Sequence, residues 1–281
     1  MTNLFSIIAT LLSPIVGGFV YGIERVLRAR MQNRIGPPLL QPFYDFLKLM
    51  DKRPVIIHSF HAFMGIMYLI GTWFSLYVLL AGGDILIAIF FHVLSLAFLV
   101  LGGFSVRSPY SVVGSIRKLT HMLAYEPIFV LTAAGLYLVT GTFQISEMLK
   151  SPFIPLLYLP LVFVAFILSI PAVLEKSPFD VAEAHQEIIG GSEIEYSGKF
   201  YEAVYTGKWL EYVYVFFFIF LFSGNHYWLG LLLVLLSFLL VNLIDNSTMR
   251  VNFRQMVSFH WYILIPLVAT NVMLLALWRI Q

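Results

Sequence analysis

Apolar residues in this chain come in long blocks separated by short polar stretches. The blocks run at about 4–23, 62–82, 85–103, 121–140, 153–174, 210–222, 227–244 and 259–279. Most approach about 20 residues, the length at which a helix crosses a hydrocarbon layer roughly 30 Å thick. The sixth is short and is predicted to borrow Tyr205–Trp209 at its start. None alternates with the two-residue period of a membrane-barrel strand, so the blocks predict helices. The expectation is an all-α, polytopic integral membrane protein with about eight transmembrane helices, residues 1–281 forming a single membrane domain. No repeat of solenoid period and no soluble domain fits between the blocks. The first block has no basic residue before it and no small-residue cleavage pattern after it, which predicts a retained span rather than a signal peptide.

Two long polar segments remain, 24–61 and 175–209. In the first, Leu39, Leu40, Phe43, Phe46, Leu47 and Met50 share one helical face, and Gln41, Asp45 and Lys48 lie off it. That pattern predicts an amphipathic interfacial helix, with a partly buried connector equally compatible with the periodicity. The basic residues then orient the chain. All of its 17 lysines and arginines except Lys150 and Arg279 fall after the first, third, fifth or seventh block. The positive-inside rule places those four loops in the cytoplasm and both termini outside, in a cell membrane.

Composition narrows the chemistry. The chain is 60% hydrophobic and 11% charged, with a mean hydropathy of +0.88, well beyond a soluble domain. It has no cysteine, hence no disulfide, thiolate-held iron–sulfur cluster or thiol nucleophile. Redox chemistry beside it must therefore sit in another subunit or a bound small molecule; the chain itself is expected to bind no cofactor and no metal. Lipid is an expected partner, and nucleic acid is not.

The acids are few and clustered. The stretch EKSPFDVAEAHQEIIGGSEIEY, residues 175–196, holds six of the chain's 15 acids: Glu175, Asp180, Glu183, Glu187, Glu193 and Glu195. The spacing of Asp180, Glu183 and Glu187 predicts one face of a helix starting near Pro178 and ended by Gly190 and Gly191. Like charges in a row, partly buried, raise one another's pKa, which suits a proton relay. The ordinary alternative is a solvated acidic face. Interleaved aromatics (Phe179, Tyr196, Phe200, Tyr201) and the scarcity of acids elsewhere favour the relay. A metal site from Glu183, His185 and Glu187 is poorly served, because that spacing scatters ligands around a helix.

Glu126, followed by Pro127, is expected near the cytoplasmic end of its span, where an acid costs a few kcal/mol and is a functional candidate by default. Snorkelling to the interface is the alternative. Glu175 and Glu211 flank their blocks at comparable depth, so the three could bracket one hydrated pocket, with Arg25, Arg34 and Arg117 as natural counter-ions. His92, mid-span, reads as a helix–helix hydrogen-bonding residue rather than part of a pathway. Asp84 and Glu147 read as solvated loop acids.

These motifs resemble a known family. The stretch 23–55, IERVLRARMQNRIGPPLLQPFYDFLKLMDKRPV, resembles the first cytoplasmic loop of the complex I H-subunit family, the membrane chain on which the peripheral electron-transfer arm sits. SIRKLTHMLAYEP resembles its entry to a span bearing Tyr125 and Glu126, and EKSPFDVAEAHQEIIGGSEIEYSGKF its acidic loop; MRVNFRQM is a looser match to its last loop. Quinone-reducing members carry an insertion after the first Gly-Pro, whereas here GPP runs straight into LLQPFYD. That compact form resembles the membrane subunit of energy-converting nickel–iron hydrogenases and archaeal sulfane reductases, which do not use quinone.

The resemblance implies that Asp180, Glu183, Glu187, Glu193 and Glu195 line a pathway inward from the docking surface, and that Glu126, Glu175 and Glu211 continue it. Arg25, Arg34, Arg117 and Tyr125 would lie near its cavity. It also implies partners: peripheral iron–sulfur and hydrogenase-large-like subunits, bringing iron–sulfur clusters and a nickel–iron or related site, and antiporter-like membrane subunits moving protons or sodium ions. A complex I type quinone-site subunit is the rival reading. A free-standing secondary transporter would show broken spans in matched halves, and no such symmetry is visible.

Overall fold

A computed structural model of the chain describes residues 2–182 and 184–280; Met1, Glu183 and Gln281 lie outside the described residues. Among the described residues, nine principal helices order as α1 (Thr2–Met31), α2 (Gln41–Asp51), α3 (Ser59–Leu80), α4 (Ile85–Phe104), α5 (Pro109–Thr140), α6 (Pro160–Val173), α7 (Lys199–Leu221), α8 (Tyr227–Ser247) and α9 (Phe253–Arg279). Seven are long and apolar enough to cross a membrane: α1, α3, α4, α5, α7, α8 and α9. Among the described residues there is no β-sheet, only an isolated bridge between Asp84 and Gln144. The fold is an all-helical membrane bundle.

Helix α7 is the axis of the bundle. Its most apolar stretch is 72% buried, against 22% for α9 and 28% for α1 and α8, whose apolar outer faces are open to lipid. Helices α1, α3 and α8 pack on α7, and α4 and α5 follow α3 in sequence and in space. Trp209, Tyr214 and Phe218 of α7 are fully enclosed, with Phe129 of α5 edge-on to Phe218 at 5.0 Å. At one end of the bundle the loops around 81–84, 141–151 and 222–226 meet, as in Ile85 N–H to Phe143 O and Asn225 N–H to Ser151 O. At the other end the long polar loops meet: the Ser197 hydroxyl pairs with Val55, and Val251 N–H donates to Pro178 O.

The fifth apolar block is a broken helix. A turn at Pro155–Tyr158 leads to α6, with the break at Leu159, because Pro160 has no N–H and restricts the residue before it. Asn271 of α9 takes over the freed backbone groups. Its Oδ1 accepts from Leu161 and Val162 N–H at 3.0 and 3.3 Å, and its Nδ2 donates to Tyr158 O at 3.1 Å.

Three boundaries differ from those predicted, and each matters to the site. Helix α5 begins at Pro109 rather than near 121, so Arg117 and Lys118 sit on a helix and Glu126 lies more than four turns in from its start. Helix α7 reaches back to Lys199, which moves Lys208 out of the loop. With α1 running to Met31, the two long connections shrink to residues 32–58, which contain α2, and 174–198. Helix α2 forms as expected, with Phe43 edge-on to Phe19 and Trp209 at 5.2 and 5.5 Å, while Leu47 and Met50 stay exposed.

The helix predicted from Pro178 does not form. The segment is a chain of turns, with one short helix at His185–Ile188 and a single tight turn at Gly191–Glu193. A helix would turn Ala182 away from the face shared by Val181 and Ala184. The turns bury all three together with Phe179 and Ile188, and Phe179 packs on His260 of α9 at 5.0 Å. The loop thus plugs the end of the bundle. A Cβ on Gly114 of α5 would lie 2.3 Å from Gly191 Cα, so only paired glycines allow this approach.

Candidate functional site

At the floor of the plug two lysines and two glutamates close a ring. Lys118 of α5 places Nζ 2.8 Å from Glu175 and 3.3 Å from Glu193; Lys208 of α7 lies 2.7 Å from Glu193 and 3.6 Å from Glu175. Apart from Lys208, which is about one-fifth exposed, these side chains are under 10% exposed. Such burial is tolerated only because each charge faces two opposite ones. Glu175 owes its place to a helix end: Lys176 N–H returns to Pro171 O at 2.7 Å and Glu175 N–H to Ala172 O at 3.1 Å, closing α6 with Glu175 at φ 52°. Glycine is the usual residue there, and a glutamate costs of order 1 kcal/mol. The strain directs the carboxylate into the ring.

The two carboxylates are not equivalent. Burial raises both, but at Glu175 the adjacent Lys118 and Lys208 outweigh it and hold the group ionised. At Glu193 burial prevails over Lys118, and the charge of Glu175 adds to it, so its pKa is raised. A proton arriving at the ring has one evident acceptor, Glu193.

Glu175 and Lys208 also line a polar chamber of about 250 Å³ between the ends of α1, α7 and α8. Glu24 of α1 faces it, ion-paired to Lys176, accepting from the Tyr212 hydroxyl, and 3.6 Å from Arg28. Arg28 in turn pairs with Asp245 of α8, whose other oxygen accepts from Ser177 N–H at 3.1 Å. Burial lowers the pKa of the Lys176 ammonium, and Glu24 offsets part of that. Deeper in the bundle, Tyr68 donates to Glu211 at 2.7 Å, and His92 Nδ1 lies 3.3 Å from Glu126.

The sequence-derived residues therefore divide into three groups. Glu193, Glu211 and Glu126 are buried and the Glu175 side chain is 9% exposed, with Tyr125 buried beside His121. Glu187 instead points outward, its side chain half exposed, and Asp180, about one-quarter exposed, also lines the chamber. Asp180 takes a two-point pair from Arg250 at 2.6 and 2.5 Å, and Glu187 pairs with Arg117 at 2.7 Å. Glu195 is half-buried, and Glu183 lies outside the described residues. Of the proposed counter-ions, Arg25 lines the chamber, paired with Asp45 at 3.0 Å; Arg117 is at the surface and Arg34 is exposed, bonded to Gln32. Because the Asp180 pair is more than one-quarter exposed, Asp180→Ala is expected to leave the thermal midpoint of the purified protein nearly unchanged, with a loss under ~1 kcal/mol.

The counter-ions of the buried acids are lysines 118, 176 and 208, which read along the chain only as markers of sidedness. A signal was present: Lys208 precedes Glu211 by three residues, and Lys118 precedes Tyr125 and Glu126 by seven and eight, all same-face spacings once the helices are extended. Glu24, four residues before Arg28, carries the same kind of signal.

Comparison with known proteins agrees with this architecture. A family model described as NADH dehydrogenase matches residues 3–276. The H-subunit of the NADH-quinone oxidoreductase of Brevibacillus brevis is 30% identical, over 97% of this chain and 92% of that protein. Its counterpart in Dehalococcoides mccartyi strain CBDB1 is 29% identical, over 90% and 80%. In fold, the chain resembles one from the membrane-bound sulfane sulfur reductase, an archaeal respiratory membrane complex, with a TM-score of 0.88 over 98% of this chain and 99% of that one, at 23% identity. With seven apolar helices and a family match across nearly its whole length, the chain is a membrane-embedded member of the NADH dehydrogenase family.

Proposed function

We propose that this chain is the membrane coupling subunit of an energy-converting redox complex of the hydrogenase or sulfane reductase type. A peripheral arm carrying iron–sulfur clusters and a nickel–iron or related site docks over the loops at 32–58 and 174–198, which the basic residues assign to the cytoplasm with both termini outside. Electron arrival changes the charge above the plug. Glu193 answers by changing protonation, and the proton passes the ionised Glu175 to Glu211 and Glu126, toward antiporter-like neighbours that export protons or sodium ions. The observation that carries this reading is the buried ring of Lys118, Lys208, Glu175 and Glu193, a set of charges enclosed between a docking loop and the membrane helices. The near-equal length of the sulfane reductase chain also favours the compact, quinone-free branch.

The test is Glu193→Gln in the purified complex reconstituted into liposomes. Ion translocation is expected to fall roughly tenfold or more, since a lost proton-transfer group costs about 10²–10⁴ where it acts directly, while electron transfer by the arm persists. Equal loss of both, with assembly intact, counts against the reading.

A quinone-binding role is the second reading, and one feature favours it. The polar chamber shares Tyr212 with an apolar groove of about 420 Å³ between α1, α7 and α8, a pairing that suits a polar ring on a greasy tail. Inhibition of electron transfer by quinone-site inhibitors would decide for it.

A further inference from the structure

We propose that His92 carries the proton between Glu211 and Glu126, a step that rests on the coupling role above and names its mid-membrane carrier. Between the ring of charges and Glu126 the pathway needs a group that both takes and gives a proton. His92, on α4, is fully enclosed, with its Nδ1 3.3 Å from Glu126 Oε1 on α5. On the α7 side its ring lies on Tyr214, one helical turn from Glu211, which is held by Tyr68 of α3. The titratable groups around it are thus Glu126 from α5 and Tyr214 from α7, with Glu211 a turn away and, beyond it, the hydroxyl of Tyr68.

Two features separate this histidine from a packing residue. Neither of its ring nitrogens, and neither oxygen of Glu126, completes a hydrogen bond among the described residues, although all four atoms are buried. Buried polar atoms left this way are rare and call for a role. The ring also lies flat on Tyr214, with centroids 4.2 Å apart and planes 6° from parallel. The transfer balances: one ring nitrogen gains a proton from the Glu211 side as the other releases one to the Glu126 carboxylate.

The test compares wild-type, His92→Phe and His92→Gln complexes in liposomes. Phenylalanine keeps the stack; glutamine keeps hydrogen bonding but cannot relay a proton. Both are expected to slow ion translocation roughly tenfold or more with electron transfer retained. A His92→Gln complex that translocates at the wild-type rate overturns the proposal, because polar positioning would then suffice. Infrared difference spectra on reduction give a separate readout: a carboxyl band assigned by Glu126→Gln should vanish in His92→Gln, and isotope-labelled histidine in the wild-type complex should show a ring band changing with turnover. An unchanging ring band overturns the proposal even if the variants fail to assemble. If Glu193→Gln translocates normally, the coupling reading fails instead, and the infrared bands still decide the His92–Glu126 pair.

Discussion

Lys118→Met is expected to destabilise the purified complex by roughly 3–5 kcal/mol, the cost of leaving a buried charge without its partner. The lysine serves two carboxylates at 2.8 and 3.3 Å and is itself 6% exposed, so its removal leaves Lys208, among the described residues, as the lysine that Glu175 and Glu193 share. Water cannot replace the lost charge without opening the plug. The second half of the argument is compensation. Adding Glu193→Gln to Lys118→Met removes the surplus negative charge, so the double variant is expected to be more stable than Lys118→Met alone. Thermal melting of the four corners of that cycle measures the coupling. A Lys118→Met protein as stable as wild type would mean that the ring is open to solvent.

Gly114→Val is expected to unseat the acidic loop. Any Cβ at position 114 meets Gly191 Cα at 2.3 Å, and this neighbour is backbone, not the yielding tip of a side chain. Gly191 cannot retreat easily: its own Cβ position would lie 2.6 Å from Ala182 O, so the loop is packed on both sides. In the middle of an exposed helix, replacing glycine usually gains up to ~1 kcal/mol. Here the steric cost exceeds that gain, since overpacking a filled site costs about 1–3 kcal/mol or more. Glu193, two residues on, would be drawn away from Lys118 and Lys208. The expected result is faster protease cleavage within 174–198 and loss of ion translocation together with loss of stability, in contrast to Glu193→Gln, which keeps the loop in place. Unchanged cleavage in Gly114→Val would show that the loop does not rest on α5 through these glycines.

Much of this protein was legible from residue order. Long apolar blocks of near-uniform length leave no solution but membrane helices, because backbone groups in hydrocarbon must bond within their own segment. The gathering of acids in 175–196 likewise marked where chemistry should be sought. Residue order did not reveal which acids go inside. Glu187 and Asp180 looked like the heart of a helical relay, yet Glu187 turns outward to Arg117 and Asp180 is tied to Arg250 at the chamber wall, while Glu175 and Glu193 nearer the ends of the loop go in.

The division follows from the range of the forces. Hydrophobic length and local spacing act within one segment, so the chain's long apolar helices and its membrane class are written in the sequence alone. The pairing of a buried charge is settled by whatever arrives from elsewhere in the chain. Lys118, Glu193 and Lys208 come from three separate elements, and His92 meets Glu126 across two helices. Only the packed bundle decides those meetings, because desolvation makes an unpaired charge intolerable there and indifferent at the surface.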